Sequence, residues 1–115
     1  MSQETKDRIL GAFYGQALGD AFGMPSELWP RSRVIQHFGW ISCFLDGPQE
    51  NDAARFFKAA QFTDDTSMAL ALADSILECR GQVDSIVIAR RILAWAESFD
   101  AFNKIVLGPT SKVAL

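Results

Sequence analysis

Two adjacent aspartates, Asp64 and Asp65, are the residues of this sequence best suited to chemistry. They lie within FTDDTSM (residues 62–68), where Thr63 and Thr66 flank them with hydroxyl groups. Placed where a loop enters a helix, these side chains bring several hard oxygen ligands near one point, which suits Mg²⁺, Mn²⁺ or Ca²⁺ and allows two ions to be bridged. Because successive helical side chains diverge by about 100°, both carboxylates can share a site only if Asp64 lies before or at the helix cap.

The same residues also suit a structural role at the start of a helix. Aspartate and threonine are preferred N-cap and first-turn residues, since they satisfy free N–H groups and the positive end of the helix dipole. On spacing alone capping is the simpler interpretation, so a second feature is needed to favour a metal site.

The other candidate groups narrow the chemistry that is open to the chain. His37 is the only histidine, which excludes a histidine-rich metal site and a catalytic site that draws on several histidines. Cys43 and Cys79 are too few and too far apart for a zinc framework and are expected to be free thiols. Any metal must therefore be held mainly by oxygen.

The spacing of apolar residues predicts the helices that position these groups. A first helix is expected from about Glu4 to Leu18, a second from Asp64 or Asp65 to a stop at Gly81, a third from about Val83 to Ser98, and a further one opening after Gly108 and Pro109. The third is apolar almost all round, which is typical of deep burial. In the last, Thr110 or Ser111 is the expected cap.

The segment between the first two helices is predicted to be a long loop. Residues 24–62 hold many turn formers and little periodicity, with at most a short strand near residues 40–45. Just before this loop, four glycines recur at intervals of four, namely Gly11, Gly15, Gly19 and Gly23. Either close backbone packing or a place beside a ligand would account for them.

Two linked motifs give the chain a family resemblance. Residues 8–27 read RILGAFYGQALGDAFGMPSE, and residues 62–78 read FTDDTSMALALADSILE. Together they resemble the ADP-ribosylglycohydrolase family, whose members open with I-x-G-x-x-x-G-x-A-x-G-D-A-x-G, a following glutamate, and then Thr-Asp-Asp-Thr at the start of a core helix. The match is to the N-terminal portion of dinitrogenase reductase-activating glycohydrolase-like members, and in it Gly19 and Asp20 have a supporting role.

The resemblance implies an all-α fold, an orthogonal helical bundle of which residues 1–115 form a single, incomplete domain. It implies two Mg²⁺ or Mn²⁺ ions, with Thr63, Asp64 and Asp65 as metal ligands and with Glu27 and Asp65 as catalytic residues. The implied reaction cleaves a glycosidic bond at a ribose C1 through an oxocarbenium-like state. Metal ions would orient the sugar and activate a water, and Glu27 would be the acid/base partner; without the motif, Glu27 is a solvated loop residue.

The sequence also departs from the family pattern. It contains neither the late Asp-x-Asp-Thr-type motif nor the glycine-rich phosphate-binding loop that members bring from their later half. A complementing C-terminal polypeptide is therefore an expected partner. Two alternatives remain: an inactive helical module that binds a nucleotide or a protein, and a structural domain in which the aspartates are caps.

Charge and hydropathy exclude two further classes of partner. The net charge is −3, and the 11 basic residues are scattered rather than gathered into a stripe, so nucleic acid is not expected. No apolar run approaches the roughly 20 residues that cross a bilayer, and the polar start lacks a signal-peptide core. We expect a cytoplasmic location and a small-molecule or ADP-ribosylated substrate.

Overall fold

The computed structural model describes residues 1–115, and its regular structure is entirely helical. The helices are α1 (Gln3–Gly23), α2 (Arg31–Phe38), α3 (Asp64–Glu78), α4 (Ser85–Ser98) and α5 (Pro109–Ala114), with a 3-10 helix, Met24–Ser26, after α1. The chain divides into two compact units, Met1–Thr66 and Ser67–Leu115. The all-α prediction is confirmed, and no helix is long and apolar enough to span a membrane.

Helix α1 is longer than its apolar spacing predicted. Ser2 caps its start, where the Ser2 hydroxyl accepts the Thr5 N–H at 3.1 Å. The helix then continues beyond Leu18 to Gly23, and Pro25 ends it because proline has no N–H for the helical ladder. Asp20 therefore stands in the last turns of a regular helix, which fixes the direction of its side chain.

The predicted long loop contains a helix that the sequence analysis missed. Helix α2 has only eight residues, between an extended Pro30 and Gly39 at φ 67°, and is too short to show a clear apolar period. The strand expected at residues 40–45 is wrong, since this segment joins no strand ladder. Instead, Phe44 packs edge-on against Phe22 of α1, with 5.0 Å between the ring centroids.

The core of the first unit is small and built around a tight backbone approach. Its buried apolar residues are Ala21, Met24, Ala53, Ala54 and Phe57. The Gly47 N–H donates to the Phe57 carbonyl at 3.0 Å, and a Cβ at position 47 would collide with the backbone carbonyl of Ala54. Only glycine fits at that position.

In the second unit, the helix ends follow the sequence signals. Asp84 caps α4, accepting the Ile86 N–H at 2.9 Å and the Val87 N–H at 3.2 Å. After α3, Gly81 has φ 89° and its N–H bonds to the Ile76 carbonyl at 2.7 Å, which confirms the predicted stop.

Two expectations about the second unit are wrong. Helix α4 is not deeply buried: only Ala96 is buried, and Ile86 is 78% exposed. Neither Thr110 nor Ser111 caps α5. The helix begins at Pro109, so the cap position falls on Gly108, which makes no side-chain bond.

Candidate active site

The carboxylate of Asp20 holds the start of α3. Its Oδ2 accepts the backbone N–H of Thr63 at 2.8 Å, the N–H of Thr66 at 3.1 Å and the Thr66 hydroxyl at 2.6 Å. Its Oδ1 accepts the Thr63 hydroxyl at 2.7 Å. The N–H groups at a helix start have no partner within the helix, so α1 provides the cap of α3 from 43 residues earlier in the chain.

Because Asp20 caps α3, the polar residues of the motif are not the main acceptors of its first N–H groups. A threonine at the N-cap usually accepts an N–H of the first turn. Here the Thr66 N–H bonds to Asp20, and the Thr63 hydroxyl donates to the same carboxylate. The Asp64 carboxylate also accepts the backbone N–H of its own residue. Asp20, which the sequence analysis gave only a supporting role, therefore caps the start of α3.

A cavity of about 410 Å³ opens beside this junction, within the range of small-molecule pockets. Its lining residues are Gln16, Gly19, Asp20, Gly23, Glu27 and Asp65. At none of the four regularly spaced glycines of α1 would a Cβ meet an atom within 4 Å, so close packing within this chain does not explain them. Gly19 and Gly23 instead keep the wall of the cavity free of side chains.

Glu27 enters the cavity from the end of the 3-10 helix. Its N–H donates to the Met24 carbonyl at 3.1 Å. Partial burial raises the pKa of Glu27, and the negative charges of Asp65, Asp64 and Asp20 raise it further. A carboxyl group whose pKa is raised in this way is suited to hold and donate a proton.

The two aspartates of the motif do not occupy equivalent positions. Both aspartates lie within the first turn of α3, so their side chains diverge. Asp64 thus does not lie before or at the cap, which was the condition for both carboxylates to share a site. Asp65 lines the cavity, whereas Asp64 is half-buried and does not. Burial raises the pKa of Asp64, as does the charge of Asp65, while its own N–H and a hydrogen bond from Thr63 oppose the rise.

The predicted metal ligands fit a cation by type and only partly by arrangement. Thr63, Asp64 and Asp65 offer the oxygen donors that Mg²⁺ and Mn²⁺ prefer. No three of the histidine, cysteine, aspartate and glutamate side chains, however, converge closely enough to hold a metal ion. The donor types fit such a cation, and a complete coordination sphere would need further ligands.

Two residues that the sequence analysis did not single out contact the site. Gln16 lies within the first motif, and its Nε2 donates to the Asp65 carbonyl at 3.1 Å. Asn51 is buried, and its side-chain amide donates to the Glu27 carbonyl at 2.9 Å. Gln16 could have been found from its place on the glycine face of α1. Nothing in the spacing distinguishes Asn51 from the turn formers around it.

The other charged and reactive groups do not line this cavity. Asp74 and Glu78 form exposed ion pairs with Arg90 and Arg91, and the bonds from Arg91 and then Arg90 lower the pKa of Glu78. No site role was predicted for either acid. The cysteines, Cys43 and Cys79, are free thiols, as expected.

Comparison with known proteins identifies one family. The family model described as ADP-ribosylglycohydrolase matches residues 1–115. The uncharacterized protein YegU of Escherichia coli K12 is 71% identical over 109 residues, which are 95% of this chain and 33% of the relative. The ADP-ribosyl-[dinitrogen reductase] glycohydrolase of Rhodospirillum rubrum is 36% identical over 92 residues, 80% of the chain and 29% of the relative. The ADP-ribosylarginine hydrolase Tri1 of Pseudomonas putida is 36% identical over 93 residues, 81% and 22% respectively. The chain spans about a third or less of each.

Proposed function

Because the chain belongs to the ADP-ribosylglycohydrolase family, we propose that it supplies the acidic part of a hydrolase site that cleaves the bond between an ADP-ribosyl, or related ribosyl, group and an N- or O-linked acceptor. One observation carries the proposal: Glu27 and Asp65 line the same cavity, beside a helix start that Asp20 anchors with four hydrogen bonds. The anchor fixes Asp65 relative to α1.

The two cavity carboxyl groups divide the proton transfers of the reaction. Hydrolysis at the ribose C1 needs an acid for the leaving atom and a base for the attacking water. The raised pKa of Glu27 suits it to be the acid. The bond from C1 to the acceptor breaks with its electron pair leaving on the acceptor, which takes the Glu27 proton. The water oxygen bonds to C1 and passes a proton to Asp65.

The proposed cofactor is Mg²⁺ or Mn²⁺, with two ions in the complete site and Thr63, Asp64 and Asp65 as this chain's ligands. When bound, the ions orient sugar hydroxyls and lower the pKa of a water. Asp20 contacts one of these proposed ligands directly. Its carboxylate accepts the Thr63 hydroxyl at 2.7 Å and so fixes the direction of that side chain.

The remaining ligands of the proposed site come from a complementing polypeptide, equivalent to the two thirds of the relatives that lie beyond the match. Helix α1 has a face for such a partner. Leu10, Tyr14 and Leu18 follow one another at intervals of four and are 53%, 67% and 55% exposed. The proposed substrate is a small molecule or an ADP-ribosylated substrate, and the proposed location is the cytoplasm, where thiols such as Cys43 and Cys79 stay reduced.

A second candidate is an inactive module that binds a nucleotide or a protein partner without turnover. It is favoured by the arrangement of the acids, no three of which converge at metal-binding distance. The two candidates separate on turnover: the module binds ADP-ribose and releases none from an ADP-ribosylated substrate, with or without a complementing polypeptide.

Thermal unfolding with Mn²⁺ and ADP-ribose tests the site itself, in the chain joined to the remaining two thirds of its E. coli relative, which supplies the other ligands of the proposal. A ligand that binds only the folded state at about 100 times its Kd stabilises that state by about 2.7 kcal/mol. We expect such a rise for the native chain and its loss in Asp65→Asn. Asp84→Asn is the matched control, because it removes the same charge at a helix start outside the cavity and keeps the cap. An equal shift in Asp65→Asn, or none in the native chain, contradicts the proposal.

A further inference from the structure

Asn51 ties the loop before α3 to the segment that ends at Glu27. Its side chain is buried, with 2% of the residue exposed. The Nδ2 group donates to the Pro25 carbonyl at 3.2 Å and to the Glu27 carbonyl at 2.9 Å, while Oδ1 accepts the Ala53 N–H at 3.0 Å. Both hydrogens of the amide and its oxygen are therefore engaged.

The backbone of Asn51 is held as firmly as its side chain. Its N–H donates to the Pro48 carbonyl at 2.9 Å, and its carbonyl accepts the N–H groups of Ala54 at 3.1 Å and Arg55 at 2.8 Å. A side chain rooted in so many local bonds has little freedom to follow a moving partner. Asn51 can thus act as a fixed point for the segment that it reaches.

The backbone that follows Glu27 has an unfavourable conformation, which a fixed hydrogen-bond partner can hold in place. The next residue, Leu28, has φ 58°, a left-handed conformation that leucine adopts only where its surroundings impose it. The carbonyl that Asn51 holds belongs to the peptide unit joining Glu27 to Leu28. The bond therefore acts directly on the backbone from which the Glu27 side chain projects.

We propose that Asn51 is a positioning residue, which fixes the backbone at Glu27 and so places the Glu27 carboxyl group at the cavity. The role of that carboxyl group rests on the proposed function; its placement by Asn51 does not. Only asparagine among side chains of this size offers two N–H donors and an acceptor together. Aspartate has the same shape but would turn an oxygen toward two carbonyls.

The direct test is amide hydrogen exchange in the whole chain for Asn51→Ala and Asn51→Asp. The reporters are the N–H groups of Glu27 and Trp29, which bond to the carbonyls of Met24 and Ser26. We expect exchange at both to accelerate at least about tenfold in either variant, because a lost buried hydrogen bond weakens the structure that it holds. Unchanged protection overturns the proposal.

The matched control is Asp46→Ala in the same loop. Asp46 Oδ1 accepts the Ala59 N–H at 2.7 Å, so this variant also removes a side-chain bond to the loop backbone without touching Glu27. We expect it to leave exchange at Glu27 and Trp29 within about twofold of the native chain. Equal acceleration in Asp46→Ala would show a general loosening of the loop and would overturn the assignment.

A double-mutant cycle tests whether Asn51 acts through Glu27. Release of ADP-ribose by this chain joined to the remaining two thirds of its E. coli relative is expected to slow about tenfold to a hundredfold in Asn51→Ala, because an acid displaced from its working position loses most of its effect. In a Glu27→Gln background the same change should have less than about a twofold effect. Factors that multiply in the double variant overturn this route of action. If the native joined protein releases no ADP-ribose, the proposed function fails, and the exchange experiment alone decides the placement by Asn51.

Discussion

Two carboxylates, one in each compact unit of the chain, are held in different ways. In the first, Asp20 is half-buried and accepts four hydrogen bonds from the start of α3. In the second, Glu78 and Arg90 meet at the surface as an exposed pair. Hydrogen bonds to a partly buried charge fix geometry, whereas exposed ion pairs add little. The difference shows why the candidate chemistry lies in the first unit.

The largest expected effect comes from the core of the first unit. In Gly47→Ala the new Cβ meets the Ala54 carbonyl, and such overpacking against backbone destabilises by about 3 kcal/mol. Urea unfolding measures the loss. Gly11→Ala is the control, since its Cβ meets no atom and alanine favours a helix by about 1 kcal/mol over glycine. If both variants lose stability alike, the first unit is not packed as described.

The next effect tests the anchor. Asp20→Ala removes the acceptor of four hydrogen bonds, and we expect the free energy of unfolding to fall by about 2 kcal/mol. Asp20→Asn keeps the shape and one acceptor oxygen, so its loss should lie between those of the native chain and the alanine variant. Thermal unfolding of the three proteins gives the order. An asparagine variant as stable as the native chain would show that the charge is not needed.

A smaller loss is expected from a cap in the second unit. Asp84→Ala leaves the Ile86 and Val87 N–H groups without their side-chain acceptor, which costs about 1 kcal/mol. Hydrogen exchange along α4 reports it. Because this cap serves one helix and no cavity, Mn²⁺ binding should be unchanged. A loss of Mn²⁺ binding in this variant would contradict the assignment of the candidate site to the first unit alone.

Acid should affect the two units in opposite directions. The pKa of Glu27 and of Asp64 is raised on folding, so their penalty is present at neutral pH and is relieved as the pH falls toward their ordinary values of 4.5 and 3.8. The pKa of Glu78 is lowered, so its contribution is full above 4.5 and is lost as the pH falls through the lowered value. Exchange rates in each unit, compared with Glu27→Gln and Glu78→Gln, measure these trends. A common response of both units contradicts the account.

Much of the fold could be predicted because it depends on local signals. The apolar period marked α1, α3 and α4, the turn at Gly108 and Pro109 marked α5, and Gly81 marked the end of α3. Helix α1 continues past Leu18 to Gly23, where Phe22 packs against Phe44 from a distant part of the chain, and α2 is too short for a period to appear. The exposure of α4 depends on which neighbours are present. Spacing along the chain contains none of this information.

In the candidate site, too, local motifs could be recognised from the sequence, whereas contacts between distant residues could not. The linked motifs pointed to Glu27 and Asp65, and the structure places both at one cavity. The metal-ligand roles of Thr63, Asp64 and Asp65 stay predictions. The anchoring by Asp20 and the bond from Asn51 to Glu27 could not be predicted, because each joins residues more than twenty positions apart through a single side chain.

The most direct test of the central claim is release of ADP-ribose from ADP-ribosylated arginine and from an O-linked substrate, by this chain joined to the remaining two thirds of its E. coli relative. We predict release that requires Mg²⁺ or Mn²⁺ and falls at least about a hundredfold in Glu27→Gln, the usual loss for a general acid. Asp84→Asn should leave it unchanged. A folded protein that releases no ADP-ribose, or a Glu27→Gln variant as fast as the native sequence, would contradict the account.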